Sequence, residues 1–337
     1  MTDAVRQTTP ALPLASRRLL DRPLALTLVV LAAALAAAAW LWQAVPAAGS
    51  LGDAGAPPLL LAALAGVVLL AGCSVQRLAA LTTHPLFAPA TAALFGLWVL
   101  YFWQVGVTLF DVPRVLLPAP SVIGGMLVER WDTLAGDWLQ TVGKAVLIGW
   151  VLGSGLGFLV GVAIDRAPFL QRGLLPLANL TSTVPLVAVA PIMVMWFGFD
   201  WPSKAAVVVL MTFFPMLIST LAGLRAAGQL ERELMLTYAA GYTRTLLALR
   251  LPMAMPMIFS ALKVNATLAL IGAIVAEFFG SPTVGLGFRI STEAARMNMG
   301  LVWGAIVVAA VTGSLAYGLL VQLERRVAFW HPSVRAT

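Results

Sequence analysis

Residues Gly149–Gly161 read GWVLGSGLGFLVG. They sit inside an apolar run at about 141–164, and a run of at least ~18 apolar residues can cross the ~30 Å hydrocarbon layer as a helix. Gly149, Gly153, Gly157 and Gly161 recur every four residues, which gathers them on one face of that helix. A ridge without side chains lets a second helix approach closely and pack by van der Waals contact. Its partner is either a helix of the same subunit or one from a neighbouring subunit.

Seven further runs of this kind flank the first. They lie at about 24–45, 57–80, 88–110, 174–198, 204–224, 256–278 and 301–323. The 337 residues are 61% hydrophobic and 10% charged, whereas a soluble domain carries about 25% charged residues. In lipid every backbone N–H and C=O must be paired internally, so spans are helices or a closed barrel. Barrel strands alternate over about ten residues, and these runs do not. The sequence therefore predicts an all-α, polytopic transmembrane helical bundle. The first run, Leu24–Val45, exceeds the ~7–15 residues of a signal-peptide core and reads as an uncleaved span.

The formal charge of +7 reads as a topology marker, because Lys and Arg accumulate in cytoplasmic loops. With the N-terminus inside, 14 of the 21 Lys and Arg fall on the cytoplasmic side and six outside, with Lys263 within a span. Both termini are expected to be cytoplasmic. The organisation that follows is a cytoplasmic segment 1–23 and three spans over 24–110. An outer interfacial segment follows at 111–140. The core at 141–323 then carries a cytoplasmic loop at 225–255 and leads into a tail at 324–337. The lone Cys73 reads as a small packing residue, and His84 and His331 are too few for a metal site. No phosphate loop, HExxH or nucleophile elbow is present, so no residue is assigned a catalytic or metal-binding role.

The run at 174–198 carries Pro176, Pro185 and Pro191 beside Asn179, Thr181, Ser182 and Thr183. Prolines free backbone carbonyls. Together with the hydroxyls they suit a polar translocation path, unless the Ser and Thr hydroxyls simply bond back to their own helix. Lys263 and Glu277 are ionisable groups inside a span. They are too far apart along one helix to pair with each other, and Lys263 is placed to snorkel to the inner surface.

Between the runs at 204–224 and 256–278 lies RELMLTYAAGYTRTLLALRLPMAMP, Arg232–Pro256. Helix formers run to about Ala240, Gly241 permits a sharp turn, and Pro252 and Pro256 reset the chain for the next span. The outcome is a short helix–turn–helix on the cytoplasmic face. It is either a plain linker or a surface of Leu234, Tyr238, Tyr242 and arginines offered to a groove on a partner.

This segment resembles the cytoplasmic signature loop of the permease subunits of bacterial ABC importers, with Glu233, Gly241, Leu251 and Pro252 matching in order. LLPAPSVI (116–123), LPLANLTSTVPLVAVAPIMVMWFGFDW (175–201) and LIGAIVAEFFGSPTVGLGFRI (270–290) resemble the subfamily that handles nitrate, sulfonates, taurine and thiamine-precursor pyrimidines. The resemblance covers about 110–332 and implies a type I (MetI-like) permease core preceded by about three N-terminal spans. It implies a bacterial inner-membrane protein with a second, identical permease subunit, two cytoplasmic ATPases and a periplasmic solute-binding protein. ATP and magnesium would be bound by the ATPase, with no cofactor in this chain and no nucleic-acid partner. Glu233, Leu234, Tyr238, Ala239, Ala240, Gly241, Tyr242, Arg244 and Pro252 would then form the ATPase-coupling loop. The stretch SPTVGLGF would be a gate or a binding-protein contact. The solute would be a small organic anion or a pyrimidine. The rival is a stand-alone ion-coupled secondary transporter using Lys263, Glu277 or Asp165.

Overall fold

The computed structural model describes residues 14–47, 58–81, 87–167, 186–280 and 283–331. They form helices joined by turns, with no strand among the described residues. The helices are α1 (Leu14–Ala47), α2 (Pro58–Ala80), α3 (Phe87–Leu109), α4 (Pro120–Glu129), α5 (Trp131–Arg166) and α6 (Leu186–Phe197). Then come α7 (Trp201–Leu224), α8 (Gln229–Thr237), α9 (Tyr242–Phe278), α10 (Leu286–Ala295) and α11 (Met299–Val327). Seven of the described helices contain a stretch long and apolar enough to cross a membrane: α1, α2, α3, α5, α7, α9 and α11. Of the expected span at 174–198, residues 174–185 lie outside the described residues. The rest is α6, whose 12 residues reach about 18 Å and do not cross alone.

The chain divides into two compact units, at Val122 and Ile123. In the first, Ala34, Ala38, Leu41 and Val45 recur every three or four residues and so share one face of α1. That face packs on Leu60, Val67 and Ala71 of α2 and on Trp98, Val105 and Leu109 of α3. Tyr101 donates to Ala38 O at 2.7 Å and Trp98 Nε1 to Ser74 Oγ at 3.3 Å. Cys73 lies on the exposed face of α2, because the inward position beside it belongs to Ser74. The packing role expected for it is corrected accordingly.

In the second unit α7 is the centre, and more of it is buried than of any other described spanning helix. The α5 glycine ridge lies directly on it. A Cβ at Gly149 would meet Val208 at 2.6 Å, and Cβ atoms at Gly153, Gly157 and Gly161 would meet Thr212 and Val209, Phe213 and Met216, and Thr220 and Leu217. The contacts advance in step along both helices, so α5 and α7 run parallel at backbone-contact distance. On the other side α9 covers α7, with Ala254 against Gly223 and Ala269 and Ala273 against Val208 and Ala145. Leu301, Ala305 and Ala309 of α11 close the core over Leu134 and Leu286.

Two helices are rods rather than simple spans. α5 has 36 residues and α9 has 37, about 50 Å each, well beyond the hydrocarbon thickness. Each contains one π-helical stretch, Leu139–Val146 in α5 and Leu246–Arg250 in α9. The segment expected to lie flat at 111–140 is accordingly split: α4 is separate, and Trp131 onward already belongs to the α5 rod. Pro252 and Pro256 likewise do not start a new span, since the helix is continuous from Tyr242 to Phe278. Proline removes an N–H and crowds the carbonyl four residues back. For Pro252 that carbonyl belongs to Ala248, inside the π stretch, where the wider turn accommodates the ring.

Candidate functional site

At the Arg250 end of the rods, three helix termini meet in one polar knot. Arg250 Nη1 and Nη2 donate to the two oxygens of Asp165, each at 2.7 Å. Its Nε donates to Leu224 O at 2.9 Å, a terminal carbonyl of α7 where a cation also complements the helix dipole. The Tyr242 hydroxyl donates to Asp165 Oδ2 at 3.1 Å, and the Arg166 guanidinium lies 5.5 Å from the Tyr242 ring centroid. The ends of α5, α7 and α9 are thus joined through one fork-shaped guanidinium. Both side chains of the ion pair are largely withdrawn from solvent, 14% and 8% exposed.

From this knot hangs the loop at 225–241. Arg232 donates to Ala227 O and Gly228 O, folding the start of α8 onto the chain. α8 then turns Leu230, Leu234 and Tyr238 outward at four-residue spacing, with exposures of 78%, 55% and 76%. The bend after α8 is made by Ala239, at φ 51°, and not by Gly241. Gly241 has φ −66° and ψ 168°, an extended conformation open to any residue, and a Cβ there would meet nothing within 4 Å. The expectation that Gly241 supplies the turn is corrected. The Ala240 N–H and Ala239 N–H instead close the end of α8 onto Met235 O and Leu236 O. Glu233 is exposed and accepts from Gln229, Arg244 is exposed, and Pro252 lies within α9.

Further polar rungs tie the two rods together. Asn265 donates to Ser154 Oγ at 2.9 Å and to Thr212 O of α7 at 2.7 Å. Trp150 Nε1 donates to Leu262 O at 3.3 Å. Beyond them lies the second knot. Glu277 Oε1 accepts from Thr141 at 2.7 Å, and its Oε2 accepts the N–H groups of Gly287 at 2.6 Å and Phe288 at 3.3 Å. Thr141 Oγ1 accepts the Leu286 N–H, and Asp137 Oδ1 accepts the Gly285 N–H, both at 2.8 Å. Four successive N–H groups at the start of α10 are thereby satisfied by three side chains of α5 and α9. Arg289 closes the knot on Asp137 at 2.7 Å, and Glu293 accepts from Arg296 and Asn298. Gly285, at φ 142°, and Gly287 are required: a Cβ at Gly285 would meet the Glu277 carboxyl at 2.6–2.7 Å, and one at Gly287 would meet Ile274 O.

The family described as binding-protein-dependent transport system inner membrane component matches residues 139–329. The chain belongs to that family. It is an ABC importer permease with the type I core, and the matched region runs from the π stretch of α5 to just past α11. The riboflavin transport system permease protein of Chloroflexus aurantiacus is 32% identical over 242 residues, 70% of this chain and 88% of that protein. The formylaminopyrimidine transport permease protein of Halalkalibacterium halodurans is 30% identical over 237 residues, 70% of this chain and 94% of that one. A putative aliphatic sulfonates transport permease protein of Bacillus subtilis is 30% identical over 238 residues, 70% and 85%.

In this permease the candidate path residues Asn179, Thr181, Ser182, Thr183 and Pro185 lie outside the described residues. Of the residues expected to form a coupling loop, Glu233 to Gly241 lie on α8 and the turn after it, and Tyr242 and Arg244 on the first turn of the α9 rod, with Pro252 further along it. Sequence reasoning missed the partners of every intramembrane charge. Lys263 meets Glu324 of α11 at 2.7 Å, and Lys204, buried in α7, donates to Phe199 O at 2.5 Å. It also missed Asp137 and Thr141. A signal was available: Asp137, Thr141 and Lys144 recur at helical spacing across the boundary drawn between the interfacial segment at 111–140 and the span at 141–164.

Proposed function

We propose that this permease is the translocation subunit of an ATP-driven importer of the bacterial inner membrane, working beside a second copy of itself. The Arg250 end faces the cytoplasm, as do both termini, which agrees with the excess of Lys and Arg in the segments on that side. α8 and the turn to Tyr242 enter a groove on a separate ATPase, and that ATPase holds ATP and magnesium. A periplasmic binding protein delivers solute at the Glu277 end.

One observation carries this reading: α8 leaves its apolar residues Leu230 and Leu234, with Tyr238 just beyond its end, exposed, and the chain on either side of it leads into α7 and α9, whose ends Arg250 joins to each other and to α5. An amphipathic helix presenting anchors at this spacing is suited to a hydrophobic groove. The open space at Gly241 fits the same reading, since a partner's surface can approach a backbone that carries no side chain. The named relatives carry riboflavin, formylaminopyrimidine and aliphatic sulfonates in their names, which favours a small heteroaromatic or anionic solute here. The ion-coupled alternative is weaker because Asp165, Lys263 and Glu277 are each engaged, by Arg250, by Glu324, and by Thr141 with the α10 backbone.

The test is uptake in proteoliposomes holding the permease, a partner ABC ATPase and a solute-binding protein. Uptake should require ATP and survive a protonophore. Uptake by the permease alone, driven by a proton gradient, would overturn the reading.

A further inference from the structure

We propose that the Asp165–Arg250 pair is the joint that carries displacement of the cytoplasmic coupling segment into the membrane bundle, so that these two residues set how tightly ATP hydrolysis is tied to transport. This rests on the ATPase reading of α8 given above.

The argument begins with where a push on α8 can go. α8 joins the bundle on both sides, through residues 225–228 to the end of α7 and through the Ala239 turn to the start of α9; on the α9 side Tyr242 and Arg250 are the polar side chains that reach another spanning helix. Arg250 touches two of them at once: both oxygens of Asp165 on α5 and the Leu224 carbonyl on α7. A planar guanidinium making a bidentate contact fixes orientation as well as distance, which a lysine ammonium at the same position cannot do. The π stretch Leu246–Arg250 ends at this residue, so its widened turn sets the direction in which the guanidinium points.

What lies beyond the joint is stiff. α5 and α7 are in backbone contact along the glycine ridge, and α5 and α9 are tied again at Ser154–Asn265, Trp150–Leu262 and Thr141–Glu277. The end contacts, Thr141–Glu277 and Asp165–Arg250, set the two rods antiparallel, and the Trp150 and Ser154 contacts lie between them. A load delivered at Arg250 is therefore shared by three helices rather than bending one. It emerges at the far end, where Glu277 and Thr141 hold the N-terminus of α10. Without the pair, the base of α9 keeps the Leu224 carbonyl of α7 but is released from α5, and the stroke no longer passes into α5 at this end.

The experiment has two arms. In the first, nitroxide labels are placed on cysteines at exposed Leu236 of α8 and exposed Leu159 of α5, in a Cys73→Ser background, and their separation is measured by pulsed electron paramagnetic resonance. The unsubstituted pair should give one narrow distance population. Asp165→Asn and Arg250→Lys should each broaden it, whereas Asp165→Glu, which keeps the carboxylate, should not. In the second arm, solute moved per ATP hydrolysed is measured in the full reconstituted transporter. Asp165→Asn should lower that ratio at least tenfold while hydrolysis continues, and Asp165→Glu should stay close to the parent. The proposal is overturned if the Asn and Glu variants behave alike in both arms, or if uptake and hydrolysis fall together in proportion. The label arm needs no ATPase. Failure of the transport reading would appear separately, as parental uptake that follows a proton gradient.

Discussion

The two ends of the paired rods use the same parts and assemble them differently. Each has a carboxylate, an arginine and a π stretch. At the Glu277 end the carboxylates accept main-chain N–H groups at the start of α10, and Asp137 is fully buried. At the Arg250 end the contacts are made by side-chain tips, the guanidinium and the Tyr242 hydroxyl, beside a loop whose apolar residues face outward. A helix held by its backbone has few ways to move. One held by side-chain forks can pivot while keeping its partners. The contrast reads as an anchor at one end and a joint at the other, and each prediction below is a way to break or sharpen it.

The largest effect on stability is expected at the anchor. Glu277→Ala strips acceptors from the Thr141 hydroxyl and from the Gly287 and Phe288 N–H groups in a buried site. At ~1–3 kcal/mol for each buried group left unpaired, the loss should be about 4 kcal/mol, read as a lower midpoint of thermal unfolding in detergent. Asp165→Ala should cost about half as much, because Arg250 keeps its bond to Leu224 O. Equal costs at both ends would erase the distinction between anchor and joint.

A pair of glycines sharpens it further. Gly285→Ala places a Cβ at φ 142°, against the Glu277 carboxyl, and should cost about 2–3 kcal/mol. Gly241→Val meets no atom within 4 Å and needs no unusual backbone, so folding and membrane insertion should be unchanged within about 0.5 kcal/mol. ATP-dependent uptake should nevertheless fall, because the new side chain stands where the ATPase is proposed to dock. Full uptake by Gly241→Val would remove that surface from the docking site.

Leu234→Asp tests the outward stripe directly. The side chain is more than half exposed, so the unfolding midpoint should hardly move. Co-purification with the ATPase should be lost. A variant that still co-purifies would mean the stripe faces lipid headgroups rather than a groove.

How much of this could be read from the sequence depended on whether the signal was local. Apolar runs, the four-residue glycine spacing and the all-α architecture are local, and the helices of the described residues follow from them. The rods were not legible, because continuity through Pro252 depends on a π stretch, and sequence rules treat a proline as a boundary. Gly241 was given a turn that Ala239 makes, since a glycine in a loop attracts that assignment whatever its dihedrals. The partners of Asp165, Lys263 and Glu277 lie 85, 61 and 136 positions away in the chain, a separation that no motif spans.

The smallest effect belongs to the exposed acid at the anchor end. Asp200 precedes α7 and accepts from the Trp201 N–H at 2.8 Å and from Gln140 at 2.6 Å. The Trp201 N–H, with Gln140 and the nearby Lys144 and Lys204, holds its carboxyl below the usual range against a push upward from burial. A carboxyl with a lowered folded-state pKa stabilises fully above its unfolded value, near 3.9, and that stabilisation is lost as the pH falls through the folded value. Asp200→Ala removes the N-cap and should cost about 1 kcal/mol at pH 7, about 3 °C in the unfolding midpoint for a unit of this size. The deficit relative to the parent should shrink once the pH drops below about 3.9, because the parent's own carboxyl is then protonated. A deficit that stays constant down to pH 3 would mean that the side chain acts by packing and not as an ionised cap.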